Sequence, residues 1–185
     1  NTDFGRHRYS SIGKRSAEII LEYYIKLDLE RLGVHFDTIF SETIPDTKAP
    51  LARLQKAGLL TEKEGATWID GEKVGLDKDE VLVRSYDKGE TYFLKDIAYQ
   101  LNRLEDRSFD KTITIVGPDH HGQAIRLVKT LEKLGHSNFS ELSTQTIRLI
   151  KDGKEFKMSK RAGNYILPDD FLDEVPSEAA RFYFG

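Results

Sequence analysis

Two lysines three residues apart, Lys157 and Lys160, stand in the run Lys157-Met158-Ser159-Lys160-Arg161-Ala162-Gly163, just after the turn-like Lys151-Asp152-Gly153-Lys154. Ser159, Ala162 and Gly163 give the segment small residues, which suits a loop that closes over a polyanion and releases it. Lysines deliver point charges on long stems. Converging on the phosphates of a nucleotide, they could stabilise the charge that develops as a phosphate chain is broken. The same run can equally be a solvated basic turn, since charge runs usually face water.

Three further groups of polar residues fall where ligands bind in α/β sheets, beyond the carboxyl ends of strands. Glu42 follows Phe36-Asp37-Thr38-Ile39-Phe40, Tyr92 and Asp96 flank the start of a helix, and Asp119 and His120 follow Thr112-Ile113-Thr114-Ile115-Val116. Carboxylates gathered at strand ends make a pocket for a cation, and their paired oxygens match a guanidinium bidentately. Asp96 could instead cap its helix, and Glu42 could be a solvated turn residue. Asp119, His120 and His121 do not read as a metal site. Adjacent residues point apart, the remaining histidines are His7, His35 and His136, and no H-x-x-x-H or H-E-x-x-H spacing occurs.

The elements that must carry these residues can be read from periodicity. Residues 1–15 show no sustained period and read as a loosely structured lead-in. From Ser16, Ile19, Ile20, Tyr23, Tyr24 and Leu27 recur at helical spacing up to a stop at Gly33. Phe36 to Phe40 reads as a strand, and about Ala49 to Ala57 as a helix. Residues 62–90 read as an antiparallel excursion with β-like runs at 66–69, 73–75 and 81–85, a hairpin turn at Asp70-Gly71, and Trp68 anchoring a small apolar patch. Thr91 to Leu94 reads as a strand leading into a helix over Lys95 to Glu105. Thr112 to Val116 is β-branched, uncharged and reads as a buried strand. A helix from about Gln123 to Leu134 completes a unit of parallel sheet. A hairpin around Asp152-Gly153 leads into the lysine loop, and short helices open at Pro168 and Ser177.

The 185 residues suffice for one domain with a core, or one plus a small insertion. With 38% hydrophobic and 32% charged residues, a mean hydropathy of −0.51 and a net charge of −3, the chain does not read as a uniformly basic nucleic-acid coat. Zero cysteines exclude disulfides, thiolate zinc sites and cysteine nucleophiles, and point to the cytoplasm as the compartment. No apolar run approaches the ~20 residues that span a bilayer. The first residue is not methionine and the last residues are Phe182-Tyr183-Phe184-Gly185, so the reading is of a fragment with more protein beyond it.

Four ordered segments carry a resemblance. F-D-x-x-x-S-E at 36–42, Y-x-x-x-D-I-A-Y at 92–99, G-P-D-H-H-G at 117–122 and K-M-S-K-R-A-G-N-Y at 157–165 resemble those of the arginyl-tRNA synthetases, a class I aminoacyl-tRNA synthetase family. The resemblance implies an α/β fold with a Rossmann-like parallel sheet and a small antiparallel β insertion. It further implies a partial catalytic domain over 16–185 that takes ATP with Mg2+, arginine and tRNA(Arg). Carried over, Lys157 and Lys160 would be catalytic, and Gly117, Asp119, His120, Met158 and Ser159 would border ATP. Glu42, Tyr92 and Asp96 would hold arginine, with no metal bound by the protein. The family's other signature, H-I-G-H, is missing, since no H-x-G-H string occurs in the chain. The anticodon-binding helical domain that normally comes after the lysine loop is missing too. The expectation is therefore the C-terminal half of a catalytic domain, inactive alone. Two readings compete with it: a non-catalytic nucleotide- or protein-binding module, and another class I synthetase such as the cysteinyl enzyme, which the lack of cysteines disfavours.

Overall fold

The computed structural model describes residues 3–41, 46–87, 89–151, 153–156, 158, 163 and 165–184. The chain divides into two compact units, one of Asn1–Ile39 with Ile147–Gly185 and one of Phe40–Thr146.

In the first unit, α1 (Asp3–Ile20), a π-helical turn (Leu21–Ile25) and α2 (Lys26–Arg31) succeed one another without interruption. The lead-in expected over 1–15 is thus helical from Asp3. The stretch holds no proline, and a glycine such as Gly13 costs a helix only about 1 kcal/mol. Gly33, at φ +66°, ends α2. Arg181 caps it from the distal end of the chain, donating from Nη1 to the carbonyls of Leu32 at 2.5 Å and Gly33 at 3.1 Å, where a helix gathers partial negative charge. Arg31 pairs with Asp169 and, at 2.7 Å, with Asp173, tying α2 to α7 (Pro168–Glu174). The expected hairpin is present as β6 (Ile150–Lys151) against β7 (Lys154–Glu155), and α8 (Ser177–Phe184) closes the described chain.

The second unit carries the main core. After α3 (Lys48–Lys56), the strands β1 (Leu60–Lys63), β2 (Ala66–Ile69) and β3 (Glu80–Val83) form an antiparallel sheet in that order. This is the excursion expected over 62–90, with two corrections. The hairpin turn is Glu64-Gly65, whose φ values of 51° and 73° give the doubly left-handed turn that matches strand twist. Asp70-Gly71 instead starts the one-turn helix α4 (Gly71–Val74), because the Asp70 carboxylate accepts from the Lys73 N–H and caps it. Trp68 is half-buried outside the core, while Leu54, Ile69, Leu82, Leu94 and Ile97 are fully buried within it.

No strand forms among the described residues 36–41: Phe36 and Ile39 are exposed, and β propensity without a strand alongside does not make a ladder. The strand expected at Thr91–Leu94 is also absent. Thr91 is extended (φ −86°, ψ 163°) and its hydroxyl accepts from the Leu94 N–H at 3.5 Å, so α5 (Tyr92–Leu101) starts three residues earlier than its periodicity suggests. A second π-helical turn comes next (Asn102–Asp106). Then β4 (Thr112–Val116), α6 (His121–Lys133) and β5 (Phe139–Ser143) form a β-α-β unit in which β4 and β5 pair in parallel. β4 is buried on one face only, since Ile113 and Ile115 are exposed. Its only neighbour in the described sheet is β5, and Arg103 and Gln100 reach one of its faces from the α5 side. Among the described residues no helix is long and apolar enough to cross a membrane.

Candidate ligand-binding cleft

Tyr92, Asp96, Tyr99 and Gln100 recur at three- and four-residue spacing, so they share one face of α5. Opposite them stand Thr114 and Val116 at the carboxyl end of β4, His120 in the 3-10 turn Pro118–His120, and Gln123, Ala124 and Leu127 in the first turns of α6. Together with Phe139 these residues line a cleft of about 520 Å³, within the range that takes a small molecule. Its position at the strand's carboxyl end is the one α/β folds use for ligands.

Its walls are mostly apolar, with few polar groups. The Asp96 carboxylate is half-buried and accepts from Gln123 Nε2. Being one turn inside α5, it does not cap the helix; Thr91 does. Tyr92 stands at the mouth, 70% exposed, with the Lys95 ammonium 5.6 Å from its ring centre. Tyr99 packs on Phe40 at 4.8 Å between ring centroids. The cleft thus has an acceptor for a cation, aromatic walls and an imidazole at one end.

Of the residues singled out from sequence, Tyr92, Asp96 and His120 come together here. Asp119 is exposed and Gly117 half-buried, and neither lines the cleft. Met158 is exposed and belongs to the other unit. Glu42, Lys157, Ser159 and Lys160 lie outside the described residues. Sequence reasoning missed Gln123, Tyr99, Gln100 and Thr114. Gln123 directly succeeds the Asp119–Gly122 run and Gln100 lies four residues after Asp96, so helical spacing from residues already suspected would have found both. Among the described residues no group of three or more His, Cys, Asp or Glu could hold a metal ion.

A family model described as "tRNA synthetases class I (R), catalytic domain" matches residues 6–182. The chain belongs to the class I arginyl-tRNA synthetase family. An arginine–tRNA ligase from Desulfitobacterium hafniense (strain DSM 10664 / DCB-2) is 42% identical over 166 residues, which cover 86% of this chain and 29% of that protein. One from Carboxydothermus hydrogenoformans is 39% identical over 185 residues, 97% of this chain and 33% of that protein. A crystal structure of a Campylobacter jejuni protein assigned to the arginyl-tRNA synthetases superposes with a TM-score of 0.82 at 34% identity, covering 94% of this chain and 38% of that one. The arginyl-tRNA synthetase of Plasmodium falciparum, at 17% identity and a TM-score of 0.63, shares the fold. The chain therefore has the class I synthetase fold that its motifs imply, and spans about a third of the length of these ligases.

Proposed function

We propose that this arginyl-tRNA synthetase chain supplies part of an arginine–tRNA ligase active site, and that its cleft receives the arginine side chain. The reading is carried by the convergence of Tyr92, Asp96 and His120, drawn from two separate motifs, on one cleft with a carboxylate inside it. A guanidinium has five N–H donors and no acceptor, so it needs a fixed anion in a confined place, and Asp96 provides one. Gln123, by donating to Asp96, holds the carboxylate for a bidentate contact. Phe40 packs on Tyr99; Glu42, two residues later in the sequence, would add a second carboxylate.

The reaction is attack of the arginine carboxylate on the α-phosphorus of ATP, which forms arginyl-adenylate and expels pyrophosphate, and then attack of a terminal ribose hydroxyl of tRNA(Arg) on the adenylate's carbonyl carbon, which forms the arginyl ester and releases AMP. Gly117, Asp119, His120, Met158 and Ser159 would border the nucleotide, and Lys157 and Lys160 would share the charge on the phosphates. Magnesium would arrive with the triphosphate, as part of the substrate. With no H-x-G-H string in its sequence, this chain lacks the histidines that would share that charge from the other side, and by itself it does not activate arginine.

Titration calorimetry of the chain with arginine, citrulline and lysine tests the pocket. The expected result is arginine bound at least about tenfold more tightly than citrulline, its neutral isostere, with Asp96→Asn erasing the preference. Equal binding of arginine and citrulline, or none of arginine at millimolar concentration, would overturn the assignment. Arginine-dependent ATP–pyrophosphate exchange by the isolated chain would overturn its proposed inactivity.

A further inference from the structure

Arg103 does not line the cleft, yet it touches three residues that do. Its Nη1 donates to Gln100 Oε1 at 3.0 Å and to Thr114 Oγ1 at 3.0 Å, and its guanidinium lies 5.6 Å from the Tyr99 ring centre. Nη2 donates to the carbonyl of Ile113 at 3.2 Å, which anchors the guanidinium to the β4 backbone. Gln100 is 2% exposed and its Nε2 donates to Thr114 Oγ1 at 3.2 Å.

The chemistry of the donors makes this arrangement directional. A guanidinium can only donate, so Gln100 must turn its oxygen toward Arg103 and its nitrogen toward Thr114. Thr114 then accepts two N–H bonds, which use both lone pairs of its hydroxyl and leave its proton to be donated elsewhere. An amide that in isolation could sit either way round is thereby held in one orientation, and a hydroxyl that could accept becomes a donor.

We propose that Arg103 is a positioning residue for this cleft, fixing Gln100 and Thr114 as donors on its floor so that Asp96 is left as the acceptor at which a donor-only cationic head can sit. The inference rests on the arginine reading for its consequence, although the positioning itself does not need a ligand. Asp96 and Arg103 are seven residues apart, two turns along the same side of the helix, or about 10 Å at 1.5 Å per residue. A positive charge at one level and a negative one at the other polarise the cleft along α5, so a cationic head is turned away from the floor and toward Asp96.

The test is hydrogen exchange at the Gln100 side-chain amide, monitored by NMR in the 185-residue chain, alongside calorimetry with arginine. Arg103→Met is expected to speed that exchange at least about tenfold while backbone amides of β4 and α6 keep their protection, and to weaken arginine binding by a similar factor. Arg103→Lys, which keeps the charge but not the fork, should recover part of each. Should Arg103→Met fail to fold, Arg103→Lys serves in its place and should speed Gln100 exchange to a smaller degree, since an ammonium cannot bond Gln100, Thr114 and the Ile113 carbonyl together as the fork does. Unchanged Gln100 exchange in the variant that folds, or equal acceleration of all backbone amides, would overturn the proposal. A wild-type chain that binds no arginine would overturn the pocket reading instead, and the exchange measurement would still decide the role of Arg103.

Discussion

Ile69 on β2 and Leu82 on β3 are fully buried, whereas Ile113 and Ile115 on β4 are 50% and 64% exposed and Leu142 on β5 is 56% exposed. The residue types are the same and the two sheets belong to one unit, so the difference lies in what covers them. The antiparallel sheet buries one face in the shared core with Leu54, Leu94 and Ile97. The parallel pair buries Thr112 and Phe139 but leaves the opposite face open, which is unusual for parallel strands. Both sheets feed one core, to which Leu127 and Phe139 belong, but only the parallel pair also lines the cleft, through Thr114, Val116 and Phe139.

That difference can be broken by substitution. Leu82→Ala should cost about 2–5 kcal/mol in urea denaturation, through lost transfer energy and the cavity left behind. Ile115→Ser should stay within about 0.5 kcal/mol; equal costs at the two sites would end the comparison. Next in size, Gly71→Ala should cost about 1–3 kcal/mol, because a Cβ there would lie 2.4 Å from the Lys78 carbonyl oxygen, and backbone cannot swing aside as a side chain can.

The smallest expected effect is seen only through pH. Burial alone would push the Glu105 carboxyl up, but hydrogen bonds from Arg53 and His136, the latter at 2.7 Å, outweigh it and hold the group below the usual glutamate range. A depressed carboxylate stabilises the fold above its unfolded pKa, about 4.3, and the gain is lost as pH falls through the lower folded value. The stability gap between wild type and Glu105→Gln should therefore be steady down to about pH 5 and shrink below pH 4.3. A gap that widened on acidification would contradict the pairing.

Legibility tracked the range of the interactions. β4 and α6 were readable because five β-branched residues, a Gly-Pro break and an amphipathic stripe ending at Gly135 are local signals. β5, Phe-Ser-Glu-Leu-Ser, was not, since a strand with two polar serines and a glutamate is recruited by its register with β4 rather than by its own propensity. Phe36 to Phe40 failed in the opposite sense, with propensity but no partner. The same holds at the cleft. Tyr92, Asp96 and His120 belong to strings with a recognisable order, while Arg103 and Thr114 show their part only once α5 lies against β4.

The wide turn after α5 has a consequence for chain length. There the Arg107 N–H reaches back five residues to the Asn102 carbonyl at 2.9 Å, so the helix accommodates one residue more than its regular pitch allows. A residue gained or lost in a surface loop is absorbed locally. One lost between Asn102 and Asp106 would return the turn to the ordinary pitch and leave the chain beyond it facing much as before, whereas one lost from the regular turns of α5 (Tyr92–Leu101) would rotate everything after it by about 100°. The wide turn is thus the place in this helix where the residue count can change by one without turning the chain that leads to β4, while the regular turns of α5 hold their count fixed.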